Sequence, residues 1–241
     1  MTTRSYGQYC GLAHALDIVG ERWSLLVIRE LMTGPKRFKD LLLRLPGIST
    51  NLLTRRLKHL KAHGVIESRA LAPPASTVAY ALTDRGIELQ PVLVTLTRWG
   101  YRAMPPLGDR SISLSGCALM AMQARFRFDP SFAASDELEF RLDSEVFHVR
   151  IYDQRLEPGL GPGARPDCVL TLNDDTFLAI LTGATQLHDA RRSGRLKITG
   201  DIDVYYRSAY LLDLTPLHKG EQQDLPTLDL TGRIAPRPRR L

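Results

Sequence analysis

Residues 48–64 read ISTNLLTRRLKHLKAHG, and this stretch restricts the fold more tightly than any other. Ser49 can start a helix there, because its hydroxyl can accept a bond from a backbone N–H left unpaired in the first turn. Gly64 suits the left-handed position that closes a helix. Between them Leu53, Leu57 and Leu60 recur at helical spacing and form one apolar seam. The spacing predicts a helix from Ser49 to His63 that is buried along a single line. Its outward face then carries Thr50, Asn51, Thr54, Arg55 and Lys58. Arg55, Arg56, Lys58 and Lys61 have no acid among them, and Arg56 turns toward the flank.

The flanking segments place this helix in an order. Leu12, Ala13, Leu16 and Val19 repeat helically from Tyr9 to Val19, and Leu25, Ile28 and Leu31 do so before Gly34-Pro35. A short third helix is expected over about Phe38–Leu45, with Phe38, Leu41 and Leu42 inward. After the Ser49 helix, Val65–Leu71 and Val78–Leu82 are β-prone and flank APPAST, which predicts a two-stranded ribbon. Thr83 then caps a long helix to about Tyr101, with apolar Leu89, Val92, Leu93, Leu96 and Trp99. Pro91 inside that pattern predicts a kink or a restart. Four helices, a ribbon and a further helix make the order of a winged helix-turn-helix, with the Ser49 helix in the recognition position.

The charge distribution agrees with a polyanionic partner for this half. Residues 1–104 hold 15 Lys and Arg against 7 Asp and Glu, whereas residues 105–232 hold 13 against 19. A helix can lie in the DNA major groove when its outward face offers hydrogen-bonding and cationic groups. Thr50, Asn51 and Thr54 lie in the first turn and a half, with Ser49 at its start, where helix-turn-helix proteins reach base edges. Arg55 can reach a guanine edge or a phosphate, and Lys58 a phosphate. Lys36, Arg37 and Lys39, together with Arg69 and Thr77 on the wing, are expected to contact the DNA backbone.

Beyond Met104-Pro105-Pro106 the rhythm changes. Strands are expected at 138–142, 146–152, 168–172 and 195–199, helices at 174–181 and 202–212, and a turn-rich loop at 158–166. The expected organisation is a winged-helix DNA-binding and dimerisation domain at 1–104 and a hinge at 105–114. An α+β domain follows at 115–214, and 215–241 reads as a tail without packed structure. Gly159, Gly161 and Gly163 alternate without a following helix, which excludes a dinucleotide fingerprint. His148 reads as an ordinary partly buried residue. Asp174-Asp175 read as a helix start, where acids favour the dipole. Cys10, Cys117 and Cys168 form no metal or disulfide pattern, no nucleophile–base set appears, and no cofactor is implied. With no apolar run long enough to span a bilayer and no signal-peptide core, a cytoplasmic protein that is not an enzyme is expected.

The residues that carry the first domain also resemble a known family. GERW, LLVIREL, GPKRF, LPGIS, LTRRLKHL and YALTDRG fall in the order and spacing of HxlR-type winged-helix transcriptional regulators, over about residues 9–103. The resemblance implies a homodimer, packed through its N-terminal and final helices across a two-fold axis, on a pseudo-palindromic operator. Trp23 and Trp99 read as core or dimer-interface residues. Cys10 stands where many relatives carry a cysteine, used by some as a redox sensor. Here Gly11 replaces the usual proline and no neighbouring pattern argues for a depressed thiol pKa, so Cys10 reads as a half-buried packing residue.

CVLTLNDDTFLAILTGATQLHDARRSGRLKITGD, residues 168–201, is similar to the core of sterol carrier protein type 2 domains. Arg195 and Arg191-Arg192 depart from that family's usual residues. The resemblance implies an α+β fold over about 115–214. In that fold Phe126, Phe147, Val149, Leu170, Phe177, Leu178, Leu181, Ile198, Tyr205 and Leu212 could line an apolar tunnel for a hydrophobic effector. A filled core that only supports dimerisation needs the same residues. The expected function is a dimeric, DNA-binding regulator whose second domain senses an apolar small molecule. The alternative is a lipid-binding or carrier protein that uses the winged helix as an interaction module.

Overall fold

The computed structural model describes residues 5–70, 78–101, 114–126, 129, 135–153 and 155–212. The chain divides into two compact units, Met1–Leu93 and Val94–Leu241. Thr77 and the tail expected from residue 215 lie outside the described residues, as does the expected hinge apart from Leu114.

In the first unit α1 (Gly11–Val19) and α2 (Ser24–Met32) precede a two-residue strand, β1 (Lys36–Arg37). Next come α3 (Phe38–Arg44), α4 (Thr50–Ala62), β2 (Ile66–Ala70), β3 (Val78–Leu82) and α5 (Asp84–Ile87); α6 (Gln90–Tyr101) starts in this unit and runs past Leu93 into the second. The Ser49 hydroxyl accepts from Leu52 N at 3.3 Å, and Gly64 has φ +67°. The cap and stop expected of α4 are therefore both present. Leu53, Leu57 and Leu60 are no more than 2% exposed, and α4 packs against α1, α2 and β2.

One expectation for this unit changes, and the restart expected at Pro91 is present. The ribbon is a three-stranded sheet in the order β1-β3-β2, because Lys36 and Arg37 pair antiparallel with Tyr80 and Ala79. The long final helix is two helices. Thr83 Oγ1 accepts from Gly86 N at 3.2 Å to cap α5, and the chain restarts at Gln90. Pro91 then stands in the first turn of α6, where a missing N–H breaks no helical bond. Leu12 and Leu16 of α1 are exposed, and the buried set is Ala13, Ile18 and Val19. Trp23 is half-buried with a left-handed φ of 79°, a conformation rare for a bulky side chain.

In the second unit α7 (Leu114–Arg125) precedes β4 (Asp136–Arg141), β5 (Val146–Tyr152), β6 (Arg155–Leu160) and β7 (Cys168–Leu172). Then follow α8 (Asp174–Leu181), α9 (Leu187–Arg192), β8 (Leu196–Gly200) and α10 (Ile202–Leu211). The strands form one sheet in the order β6-β5-β4-β7-β8, antiparallel throughout except for the β4/β7 pair. Residues 158–160, expected in a loop, belong to the edge strand β6, where Pro158 is tolerated because edge strands need not donate every N–H. Asn173 caps α8 through Thr176 N at 2.8 Å, which agrees with an acidic helix start at Asp174-Asp175.

The core of this unit is aromatic at its centre. Phe140 stacks on Phe147 at 4.9 Å between ring centroids, and Phe177 meets both edge-on at 6.0 and 5.5 Å. Leu138, Val149 and Leu170 extend the core along the sheet, with Met122 and Leu119 of α7 and Tyr205 and Leu212 at α10. Asp136 is buried at the start of β4 and takes two bonds from Arg207, at 3.0 and 2.8 Å. That carboxylate holds the Arg207 guanidinium above its ordinary pKa, chiefly through the hydrogen bond. Phe147→Ala removes the stacked contact and one of the two edge-on contacts. It is expected to cost about 3–5 kcal/mol of stability, read as a lower urea midpoint for the full chain.

Candidate nucleic-acid interface

With three leucines fixed inward, α4 turns Thr50, Asn51, Thr54, Arg55 and Lys58 to solvent, and all five are exposed. Asn51, Arg55 and Lys58 follow one another at i, i+4 and i+7, so an amide, a guanidinium and an ammonium share one stripe. The Thr54 hydroxyl donates to Thr50 O at 2.8 Å, which leaves its lone pairs and its methyl group facing out. Among the described residues no carboxylate pairs with Arg55, Lys58 or Lys39, so their charge is uncompensated. Lys61 lies further along and donates to Ser68 Oγ of β2 at 2.8 Å.

The other expected contacts divide. Arg37 and Lys39 are exposed at the start of α3, where Arg37 N donates to Asp40 Oδ2 at 3.1 Å. Arg69 is exposed on β2 but shares its charge with Glu67 at 2.5 Å. Lys36 is a correction. It is 5% exposed, and its ammonium donates to Thr33 Oγ1 at 2.7 Å and Gly34 O at 3.4 Å, so it braces the turn before β1 and does not face outward. Arg56 is also engaged within the protein, with Glu21 and Arg22.

Two further surfaces matter. Tyr6, Tyr9, Leu12 and Leu16 leave apolar area exposed at the N-terminal segment and α1, and Val92 and Leu96 do so on α6. Trp99 of α6 is 72% exposed, so it is not a core residue. Cys10 is exposed rather than half-buried, at the position preceding α1. The N–H groups of Ala13 and then Leu12 hold its thiol below the ordinary cysteine pKa, a signal that the sequence pattern did not carry. Cys168 is the opposite case: burial, then the charges of Asp201 and Asp167, push it up to about 11.

In the second unit, eight residues of the expected tunnel lining are buried in one core, and Leu178 and Ile198 are half-buried. The alternating glycines have packing roles. A Cβ on Gly159 would stand 2.4 Å from the His148 ring, and one on Gly163 would stand 2.0 Å from Glu137 Oε1. His148 is half-buried, with Nδ1 3.0 Å from Gly161 O. Among the described residues no group of three or more His, Cys, Asp or Glu could hold a metal ion, and no helix is long and apolar enough to cross a membrane.

Comparison with known proteins finds two family models. The HxlR-like helix-turn-helix model matches residues 18–107, and that of the SCP-2 sterol transfer family matches residues 132–213. The HTH-type transcriptional regulator sll1512 of Synechocystis sp. is 43% identical over 94 residues, 39% of this chain and 70% of that protein. The HTH-type transcriptional regulator YodB of Bacillus subtilis is 38% identical over 95 residues, 39% of this chain and 84% of that protein.

The thiol environments lead to a measurement. With its pKa lowered, Cys10 carries more thiolate at neutral pH than an ordinary cysteine, while Cys168 stays a thiol until far above it. Limited iodoacetamide at pH 7 followed by mass spectrometry of the native protein is expected to label Cys10 first and to leave Cys168 unmodified.

Proposed function

Because this chain belongs to the HxlR-like helix-turn-helix family of transcriptional regulators, we propose that it binds operator DNA as a homodimer, with α4 of each copy entering a major groove. The observation that carries this reading is the outward stripe of α4, polar in its first turns and cationic beyond, with no acid among the described residues to neutralise it. Thr50, Asn51 and Thr54 read base edges, with Ser49 at the helix start, and Arg55 takes a guanine edge or a phosphate. Lys58, Arg37, Lys39 and Arg69 meet phosphates. Lys36 drops out of the set, since its ammonium is used inside the protein. In a two-fold dimer the half-sites lie about 34–36 Å apart, one turn of the duplex.

The exposed apolar residues support the dimer. Leu12 and Leu16 on α1 and Val92, Leu96 and Trp99 on α6 would sit in water in a lone chain, and a second copy removes that cost. The C-terminal domain is proposed to take an apolar small molecule within the core built on Phe147, Val149, Leu170 and Phe177. Such a ligand alters DNA affinity only if it binds one dimer geometry more tightly than another. Protein that co-purifies with lipid but shows no sequence preference for DNA would instead mark a carrier that uses the winged helix as an interaction module.

The test is operator binding as a function of salt, starting from DNA upstream of the protein's own coding sequence. Arg55→Ala is expected to weaken the specific complex. If Arg55 holds a phosphate, the slope of log K against log salt falls by about one unit; if it reads a base, the slope holds and sequence preference relaxes. Absence of any sequence preference across a genome-wide selection would overturn the operator reading. Trp99→Asp places a charge in the proposed interface, and sedimentation velocity is expected to show a shift from dimer to monomer, with loss of operator affinity.

A further inference from the structure

The inner flank of α4 is tied to the first two helices by polar contacts beside the leucine seam. Arg56 is 15% exposed at its side chain. Its Nε donates to Arg22 O at 2.8 Å, and a terminal nitrogen donates to Glu21 Oε2 at 2.7 Å. One turn further on, His59 Nε2 lies 3.0 Å from Ile18 O in the last turn of α1. The His63 ring lies 4.3 Å from that of His59, and its Nδ1 is 2.9 Å from His59 O. The last carbonyls of a helix lack intrahelical partners, so side chains of α4 here serve the end of α1 and the turn after it.

That turn is itself closely defined. Trp23 holds its left-handed φ of 79° directly after Arg22, whose guanidinium lies 5.5 Å from the Trp23 ring centroid. The Trp23 ring also stands beside Gly47, in the turn that leads into α4: a Cβ on Gly47 would be 3.8 Å from it. Residues 21–23 thus meet α4 through Arg56 and the approach to α4 through Trp23. A backbone conformation this uncommon persists where its surroundings determine it.

We propose that the Glu21-Arg22-Trp23 turn is a seat that sets the angle of α4 in the groove, with Arg56 and Glu21 as positioning residues that do not contact DNA. Glu21, an exposed acid on a basic domain, then favours operator binding. The same ties join α4 to α1, which carries Leu12 and Leu16 and is preceded directly by Cys10, so a displacement of α1 is passed to the reading helix. This inference rests on the DNA-binding reading above.

The test uses the full-length protein with Glu21→Gln, Arg56→Ala and the double variant, each checked for an intact thermal transition. Electrostatics alone predicts that Glu21→Gln tightens DNA binding, because it removes a negative charge near a polyanion. The seat predicts the reverse for the operator: about tenfold weaker specific binding for either variant, with a double variant no worse than the weaker single one. Affinity for random-sequence DNA should be unchanged or raised, so the specific-to-random ratio falls, and the salt slope of Arg56→Ala should match wild type. A variant that only lost stability would not lower that ratio at temperatures well below its transition. The proposal is overturned if Glu21→Gln binds the operator as tightly as wild type or more tightly, or if Arg56→Ala lowers the slope by about one unit. Wild-type protein without sequence preference would overturn the functional reading, and the seat with it.

Discussion

Burial of Leu53, Leu57 and Leu60 is the constraint from which the rest of the N-terminal unit follows. A helix has one set of directions, so fixing three leucines inward leaves no freedom in where the other side chains of α4 point. Thr50, Asn51, Thr54, Arg55 and Lys58 must face water, while Arg56 and His59 fall on the margins and find partners on α1 and its following turn. The same seam gives α4 its neighbours, α1, α2 and β2. Fold and candidate surface are therefore one decision made by three residues. The HxlR-like match over residues 18–107 spans all of them.

What could be read from the sequence depended on whether an element had a period. The Ser49 cap, the leucine seam and the Gly64 stop of α4 were legible because each is a local rule with one reading. The helix α7 was not, because its residues from Ala118 to Arg125 are all buried. A helix covered on every side has no polar face, and so no 3.6-residue rhythm to find. The strand β6 was missed for another reason: Pro158 and Gly159 are loop residues by composition, and only pairing with Val149 and His148 makes them a strand. Lys36 shows the limit for a candidate site. A lysine before a helix reads as a surface cation until a two-residue strand and a Thr33 hydroxyl are found to enclose it. Cys10 was misjudged likewise, since it is exposed and answers to N–H groups of α1; Arg56 was placed on the flank, but its partners in a distant turn were not legible.

The acidity of the C-terminal half also has a structural meaning that composition cannot give. Glu139 is buried in β4, where it accepts from Arg141 at 2.6 Å and from Gly163 N at 2.9 Å. Asp167 accepts from Glu137 N at 2.8 Å, and Asp167 N donates to Glu137 O at the same distance. Glu139, Glu137 and Asp167 thus pin the loop between β6 and β7 onto the sheet, and Asp136 fastens α10 to β4 through Arg207. Part of the negative charge is thus spent on architecture, and only the remainder describes the surface that a partner would meet.

The two edges of the five-stranded sheet have a consequence for how the protein survives at high concentration. A sheet that ends in open strands offers unpaired N–H and C=O groups to other chains. Along β6 that template is interrupted by Pro158, which has no N–H to offer, and the neighbouring Gly159 lies under the His148 ring. Along β8, exposed Lys197 would bring like charges together if two such edges met. Both features disfavour strand-by-strand propagation from copy to copy. The second domain is thereby built to limit joining through its own edges.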